Sequence, residues 1–325
     1  MYDLVFKNAY IIDGTGKSPF YGDLAVSDGI IVDRGKNLGV SKRVINAEGL
    51  TITPGFIDTH THYDAQLTWD PWAQPSPSLG VTTLLIGNCG FTIAPCKPEH
   101  RDLTLRNLTN VEGMSLEALR KGVVWDFETF PEYMNFLERR GVGPNIAAYI
   151  GHSSVRVYTM GEEATKRSAK MSEIKQMQEI VYNSMVSGAI GFSTSTFEGH
   201  NGENGIPMPS RLAEDNEMVS LIKSMSSSGR GLFMLTKGLE TPIKTIKEWM
   251  KGEYLFIWHM PPAMVAFTDT KFKPSPGCSA SVKRLLDNST SNISLSVWET
   301  NKLPKEYSRT YEYFQPDAII TSSLL

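Results

Sequence analysis

Cysteine and histidine are scarce in this chain, with three of the first and six of the second in 325 residues. Three thiols (Cys89, Cys96 and Cys278) build no disulfide framework of the kind small secreted domains use. Long apolar runs are missing as well. No stretch approaches the roughly 18 residues a spanning helix needs, and no signal-peptide pattern opens the chain. A surplus of charge is absent too: the formal net charge of −3 makes no electrostatic case for nucleic acid or an anionic membrane surface. What is left is an ordinary globular composition, 41% hydrophobic and 21% charged, expected in a reducing cytoplasm. The length suits one large or two modest domains.

Against that scarcity, two of the histidines stand two residues apart, in Pro54-Gly55-Phe56-Ile57-Asp58-Thr59-His60-Thr61-His62-Tyr63-Asp64. Residues 51–57 read as the approach and body of a buried strand. Side chains alternate along a strand, so His60 and His62 would aim at one point in space, as a divalent metal of the zinc class requires. A second run, Gly80-Val81-Thr82-Thr83-Leu84-Leu85-Ile86-Gly87-Asn88-Cys89-Gly90, brings a thiol flanked by turn residues to the end of another strand. Cys89 reads alternatively as a small buried hydrophobe. The two strand ends together favour a shared rim carrying His60, His62 and Cys89, a donor set that suits zinc. Cys96 and Cys278 lack such framing.

The first 50 residues read as a small β unit, with short runs at 3–6, 9–14, 23–26 and 29–33 punctuated by Gly and Asp turns. From residue 51 to 325 strands alternate with helices. Further strand-like runs lie at 81–86, 146–150, 189–192, 231–235 and 254–258. A helix is expected from Ser172, as N-cap, to Ser187, with Ile174, Met177, Val181 and Met185 on one face and Gly188 as the stop. Another follows Asp215, with Met218, Leu221, Ile222 and Met225 inward. A third lies within 125–140, with Pro131 near its start. Repeated βα units predict a parallel sheet in either a doubly wound fold or a (β/α)8 barrel. About six units are legible, and definition fades after about residue 260.

The runs 54–71 and 80–90 together resemble the D-aminoacylase branch of the amidohydrolase superfamily, the N-acyl-D-amino-acid deacylases. Trp125-Asp-Phe-Glu-Thr-Phe-Pro-Glu-Tyr133, Gly151-His-Ser-Ser-Val-Arg156, Met160-Gly161 and Gly188-Ala-Ile-Gly-Phe-Ser-Thr-Ser195 extend the likeness, which covers residues 1 to about 250. The resemblance implies a (β/α)8-type barrel, possibly incomplete here, with a small β-sandwich built from the chain ends. It implies zinc, one or two ions, and hydrolysis of a small N-acyl amino acid substrate. Carried over, Cys89 matches the ligand of the tight zinc site, and His60 and His62 match a second, weaker position. His259 matches the histidine of a later strand. The family's Thr-His-Ile-Arg segment appears as Leu235-Thr236-Lys237-Gly238, so one histidine is missing. The Ser-Asp-Gly segment that carries the family's base is not visible after residue 260, and neither Asp269 nor Asp317 has its setting.

His152 could orient substrate and Arg156 could pair its carboxylate, or both could be structural. Lys237 reads as a solvated lysine, or as a metal-bridging one of the kind related amidohydrolases carboxylate. His200 reads as a loop residue and His100 as a solvated helix start. Asp58 and Asp64 lie near enough to orient the histidines, and no general base is assigned. Three readings stay open: a deacylase of linear amides, a cyclic-amide amidohydrolase, and a shortened, catalytically incompetent remnant of the family. Gly-Asn-Cys-Gly speaks for the first, since cyclic-amide branches usually rely on the bridging lysine.

Overall fold

The computed structural model describes residues 1–249 and the backbone of residues 255–260 and 293–297. Among them Met1–Phe56 forms one compact unit, and Ile57 opens the second.

The first unit is a five-stranded sheet. β1 (Tyr2–Ile11) lies between β2 (Phe20–Ser27) and β4 (Ser41–Asn46), β3 (Ile30–Gly35) flanks β2, and β5 (Thr51–Ile52) pairs with the far end of β1. β1 is one strand where the sequence suggests two. The pairing with β2 shifts between Phe6 and Ala9, and Asn8 turns left-handed at φ 62°. Its N–H donates to the buried Asp23 carboxylate at 3.0 Å, so the bulge stays hydrogen-bonded and the strand continues. Asp28-Gly29, both at positive φ, turn β2 into β3. Ala9, Ile11, Leu24 and Ala47 close a small core.

The run 51–57 is not one buried strand. It breaks at Thr53-Pro54-Gly55, where proline supplies no donor and constrains the residue before it. β5 stays with the first sheet, while β6 (Phe56–Asp58) joins the second, with Phe56 46% exposed.

The second sheet holds seven strands in the order of the chain: β6, β7 (Val81–Ile86), β8 (Asn145–Gly151), β9 (Gly191–Ser195), β10 (Leu232–Thr236), β11 (Leu255–Met260) and β12 (Ile293–Val297). From β7 to β12 every neighbouring pair is parallel. A doubly wound sheet reverses its strand order at a switch point, whereas a monotonic order is that of a (β/α) barrel. The described sheet is a curled, incomplete barrel of this kind. No described helix is long and apolar enough to cross a membrane.

Helices α1 (Arg101–Glu112), α2 (Leu116–Gly122) and α3 (Phe130–Arg140) lie between β7 and β8, and α4 (His152–Met160) and α5 (Met171–Val186) precede β9. α6 (Asp215–Ser226) leads to β10 and α7 (Ile243–Trp249) to β11. The apolar faces read from periodicity hold: Ile174, Met177, Val181 and Met185 of α5 are buried, as are Met218, Leu221, Ile222 and Met225 of α6. The start of α5 differs. Lys170, not Ser172, is its N-cap, because the Lys170 N–H finds the Glu173 carboxylate at 2.6 Å.

β9 also runs further than its apolar pattern suggests. Ser193, Thr194 and Ser195 are completely buried. Each hydroxyl has a partner in the core, so a polar run costs little there.

Candidate metal centre

His60 and His62 lie just beyond β6, where no ladder holds the backbone extended. Thr61 does that instead. Its N–H and its hydroxyl both donate to the Leu85 carbonyl of β7, at 3.1 and 2.7 Å. With Thr61 pinned to the wall, the imidazoles on either side are turned away from it, and their rings meet edge to face at 5.3 Å.

Cys89 sits on a tight turn after β7 in which Gly87, Cys89 and Gly90 all take left-handed conformations, at φ 78°, 58° and 80°. A Cβ at Gly87 would stand 2.6 Å from the Tyr149 carbonyl oxygen, so the turn needs glycine for space as well as for φ. Asn88, buried, donates to the carbonyls of Leu85 (2.9 Å) and Thr61 (3.2 Å) and so ties this turn to the histidine segment. Asp64 adds a second tie by accepting the Gly87 N–H at 3.0 Å.

The three side chains converge. Cys89 Sγ lies 3.2 Å from His60 Nε2 and 3.8 Å from His62 Nε2, and the ligand atoms all fall within 4.8 Å of one another. Zinc bonds of about 2.0–2.3 Å at tetrahedral angles place neighbouring donors about 3.3–3.8 Å apart. The donor set suits a cation in chemistry, and the two sulfur–imidazole separations lie close to that spacing. Among the described residues no other group of three His, Cys, Asp or Glu side chains converges this way. Burial pushes the Cys89 thiol up to about 12, with the Thr236 hydroxyl pulling the other way, so loading a metal here means displacing the thiol proton.

The sequence model of the amidohydrolase family matches residues 43–248. The chain belongs to this family. Within it, the likeness is to the D-aminoacylase and N-acyl-D-amino-acid deacylase branch. An N-acyl-D-aspartate deacylase from Alcaligenes xylosoxydans xylosoxydans is 35% identical over 198 residues, which are 60% of this chain and 37% of that protein. A D-aminoacylase of the same organism is 30% identical over 229 residues, 70% of this chain and 43% of that one. The solved N-acyl-D-glutamate deacylase of Bordetella bronchiseptica, complexed with zinc and a phosphonate inhibitor, superposes with a TM-score of 0.62. It is 25% identical, and the match covers 80% of this chain and 52% of that one. The chain thus spans about half, or less, of the length of the relatives it matches.

His152 opens α4 and Arg156 follows four residues on, so both side chains share one helix face, and that face meets α6. Both are 0% exposed and both are held by Glu217, which is 1% exposed. His152 Nε2 is 2.8 Å from one Glu217 carboxylate oxygen and Arg156 donates to the other, while His152 Nδ1 is 2.8 Å from the Thr194 hydroxyl. Arg156 also donates to the Arg167 carbonyl at 2.8 Å. Both groups are sealed in the core and engaged with a buried carboxylate. Burial lowers His152 against the pull of Glu217. Burial alone would raise Glu217, but His152 and Arg156 outweigh it and hold it below the usual carboxylate range. Glu217 went unread in the sequence, although its place on the Leu221-Ser224-Met225 stripe of α6 was the signal.

Asp58 accepts the backbone N–H of His60 at 3.2 Å, and burial raises its carboxyl. Asp64 is 1% exposed and pushed up to about 7 by burial. Lys237 is not solvated: it is 9% exposed, burial lowers its ammonium, and it donates to the Gly238 carbonyl at 2.6 Å. His200 lies in its loop, but its ring packs 4.8 Å from Phe91, which in turn packs 5.9 Å from His62. Its Nδ1 is 2.6 Å from the Ser195 hydroxyl. His100 caps α1 and is half-buried. The backbone of His259 lies in β11, in register with Thr236 of β10. Its side chain, and Asp269, Cys278 and Asp317, lie outside the described residues.

Proposed function

We propose that this chain binds a divalent cation of the zinc class through His60, His62 and Cys89, with His259 as a further ligand, and hydrolyses the amide of N-acyl amino acids in a reducing cytoplasm. The observation that carries this reading is the convergence of the three donors within 4.8 Å on the strand-end rim. Its support is the kinship with a zinc-complexed N-acyl-D-glutamate deacylase and with enzymes named for N-acyl-D-aspartate and D-amino-acid deacylation. The cation, when bound, supplies carbonyl polarisation and a water activated near neutral pH. The chain's own part is preorganisation. Thr61 and Asn88 fix the imidazoles and the thiol before any ligand arrives, so little rearrangement accompanies binding.

Metal analysis of the purified chain, combined with hydrolysis assays, tests the proposal. Bound zinc that Cys89→Ser depletes, with turnover of N-acetyl-D-amino acids and none of cyclic amides, is the expected result. Turnover of cyclic amides alone would move the assignment to the cyclic-amide reading. Bound metal with no hydrolysis of either class would leave a binding remnant, and zinc content indifferent to Cys89→Ser would remove the site.

A further inference from the structure

The turn that carries Cys89 leaves β7 but does not stop at its neighbour. It crosses the end of β8, where Gly151 clears the way: a Cβ there would stand 2.9 Å from the Gly90 carbonyl oxygen and 2.8 Å from Thr92. Beyond β8 it meets β9. Ser193 Oγ accepts the Gly90 N–H at 3.0 Å and donates to the Gly87 carbonyl, while Cys89 N–H points to the Met234 sulfur at 3.3 Å. One fully buried hydroxyl therefore closes the turn on both sides of the cysteine, across a strand and 103 to 106 residues of chain. Three successive or near-successive left-handed residues, one of them not glycine, are costly to hold and need an external tie.

We propose that Ser193 is the positioning residue of the metal centre, the clamp that keeps Cys89 in its ligand-presenting conformation. The ligand half of this proposal rests on the metal reading above; the clamp half rests on the hydrogen bonds alone.

The experiment uses the full chain as wild type, Ser193→Ala and Ser193→Thr, and has two arms. In the metal-free protein, alkylation of Cys89 by iodoacetamide is followed by peptide mass spectrometry. Ser193→Ala should react several-fold faster than wild type, and Ser193→Thr, which keeps the hydroxyl, should stay near it. In the second arm cobalt(II) is titrated and the thiolate-to-cobalt charge-transfer band recorded. Ser193→Ala should bind about 10- to 100-fold more weakly, in line with other residues that orient metal ligands, and Ser193→Thr should restore both affinity and band. Alkylation and cobalt binding that do not distinguish Ser193→Ala from wild type overturn the clamp. So does a threonine variant that behaves like alanine. No cobalt band in wild type, with alkylation still faster in Ser193→Ala, defeats the metal reading and keeps the clamp. Should the alanine variant not fold, hydrogen exchange in the wild type decides: a protected Gly90 amide supports the clamp, and a rapidly exchanging one refutes it.

Discussion

Cys89 holds a left-handed backbone at φ 58° with glycines at φ 78° and 80° around it, a conformation that a side chain adopts only under constraint. The constraint is hydrogen bonding from residues that carry no chemistry themselves: Asn88, Asp64, Thr61 and Ser193. Two predictions belong at this scale. Cys89→Ser should cut the bound zinc measured by elemental analysis, whereas Cys96→Ser, whose thiol faces the Thr104 hydroxyl at 3.3 Å, should leave it unchanged. Asn88→Ala removes the hydrogen bonds to the Thr61 and Leu85 carbonyls, the second of which keeps its bonds from Thr61, and should cost about 1–3 kcal/mol in chemical denaturation, with weaker metal binding alongside. An Asn88→Ala chain as stable as wild type would mean that the two segments are tied elsewhere.

Among the elements, α4 and α6 are joined by the buried set of His152, Arg156 and Glu217. Removing one partner of a buried ion pair strands the other in low dielectric. Glu217→Ala should therefore destabilise the protein by about 3–5 kcal/mol in denaturant titrations. A loss under 1 kcal/mol, roughly what exposed pairs give, would contradict the burial described. α5 has a different device at its start. Glu173 accepts the Lys170 N–H and pairs with Arg167 through both oxygens, at 2.8 and 2.9 Å, and the pairing with Arg167 lowers its carboxyl to about 2. A carboxyl lowered on folding stabilises above its unfolded value of 4.5, and that share is lost as pH falls towards 2. Melting temperature followed over that window should thus fall less steeply in Glu173→Gln than in wild type; parallel curves would show that the carboxylate is not coupled to folding. The elements also show what pattern reading can and cannot find. The inward faces of α5 and α6 were legible because burial repeats at helical spacing. The buried hydroxyls of β9 and the carboxylate of α6 were not, because a polar residue reads as solvated unless its partner is known. Here the partners lie tens of residues away: 65 from His152 to Glu217 and 42 from His152 to Thr194.

At the scale of the molecule, the strict strand order of the second sheet brings the ends of β6 and β7 side by side, so that donors 27 and 29 residues apart share one rim. A ligand that binds only the folded arrangement stabilises it by mass action. Free zinc at about 100 times its dissociation constant should add about 2.7 kcal/mol, seen as a rise in melting temperature that grows with metal concentration, reverses with chelator and vanishes in Cys89→Ser. A melting temperature indifferent to zinc and chelator alike would count against the centre.

The sequence by itself determined what depends on near neighbours: helical faces at 3.6-residue spacing, strand runs, the paired histidines, and the cysteine set among glycines, since each is written within one turn or one strand. It also carried the family likeness. Tertiary structure alone decided three other things. Pro54 hands the chain from one sheet to the next, Arg156 and His152 are sealed against Glu217, and Ser193 reaches across β8 to the cysteine turn. The physical reason is common to all three. Whether a polar side chain is solvated, sealed or engaged depends on which distant segment faces it, and that is set by the packing of strands and helices, not by local order.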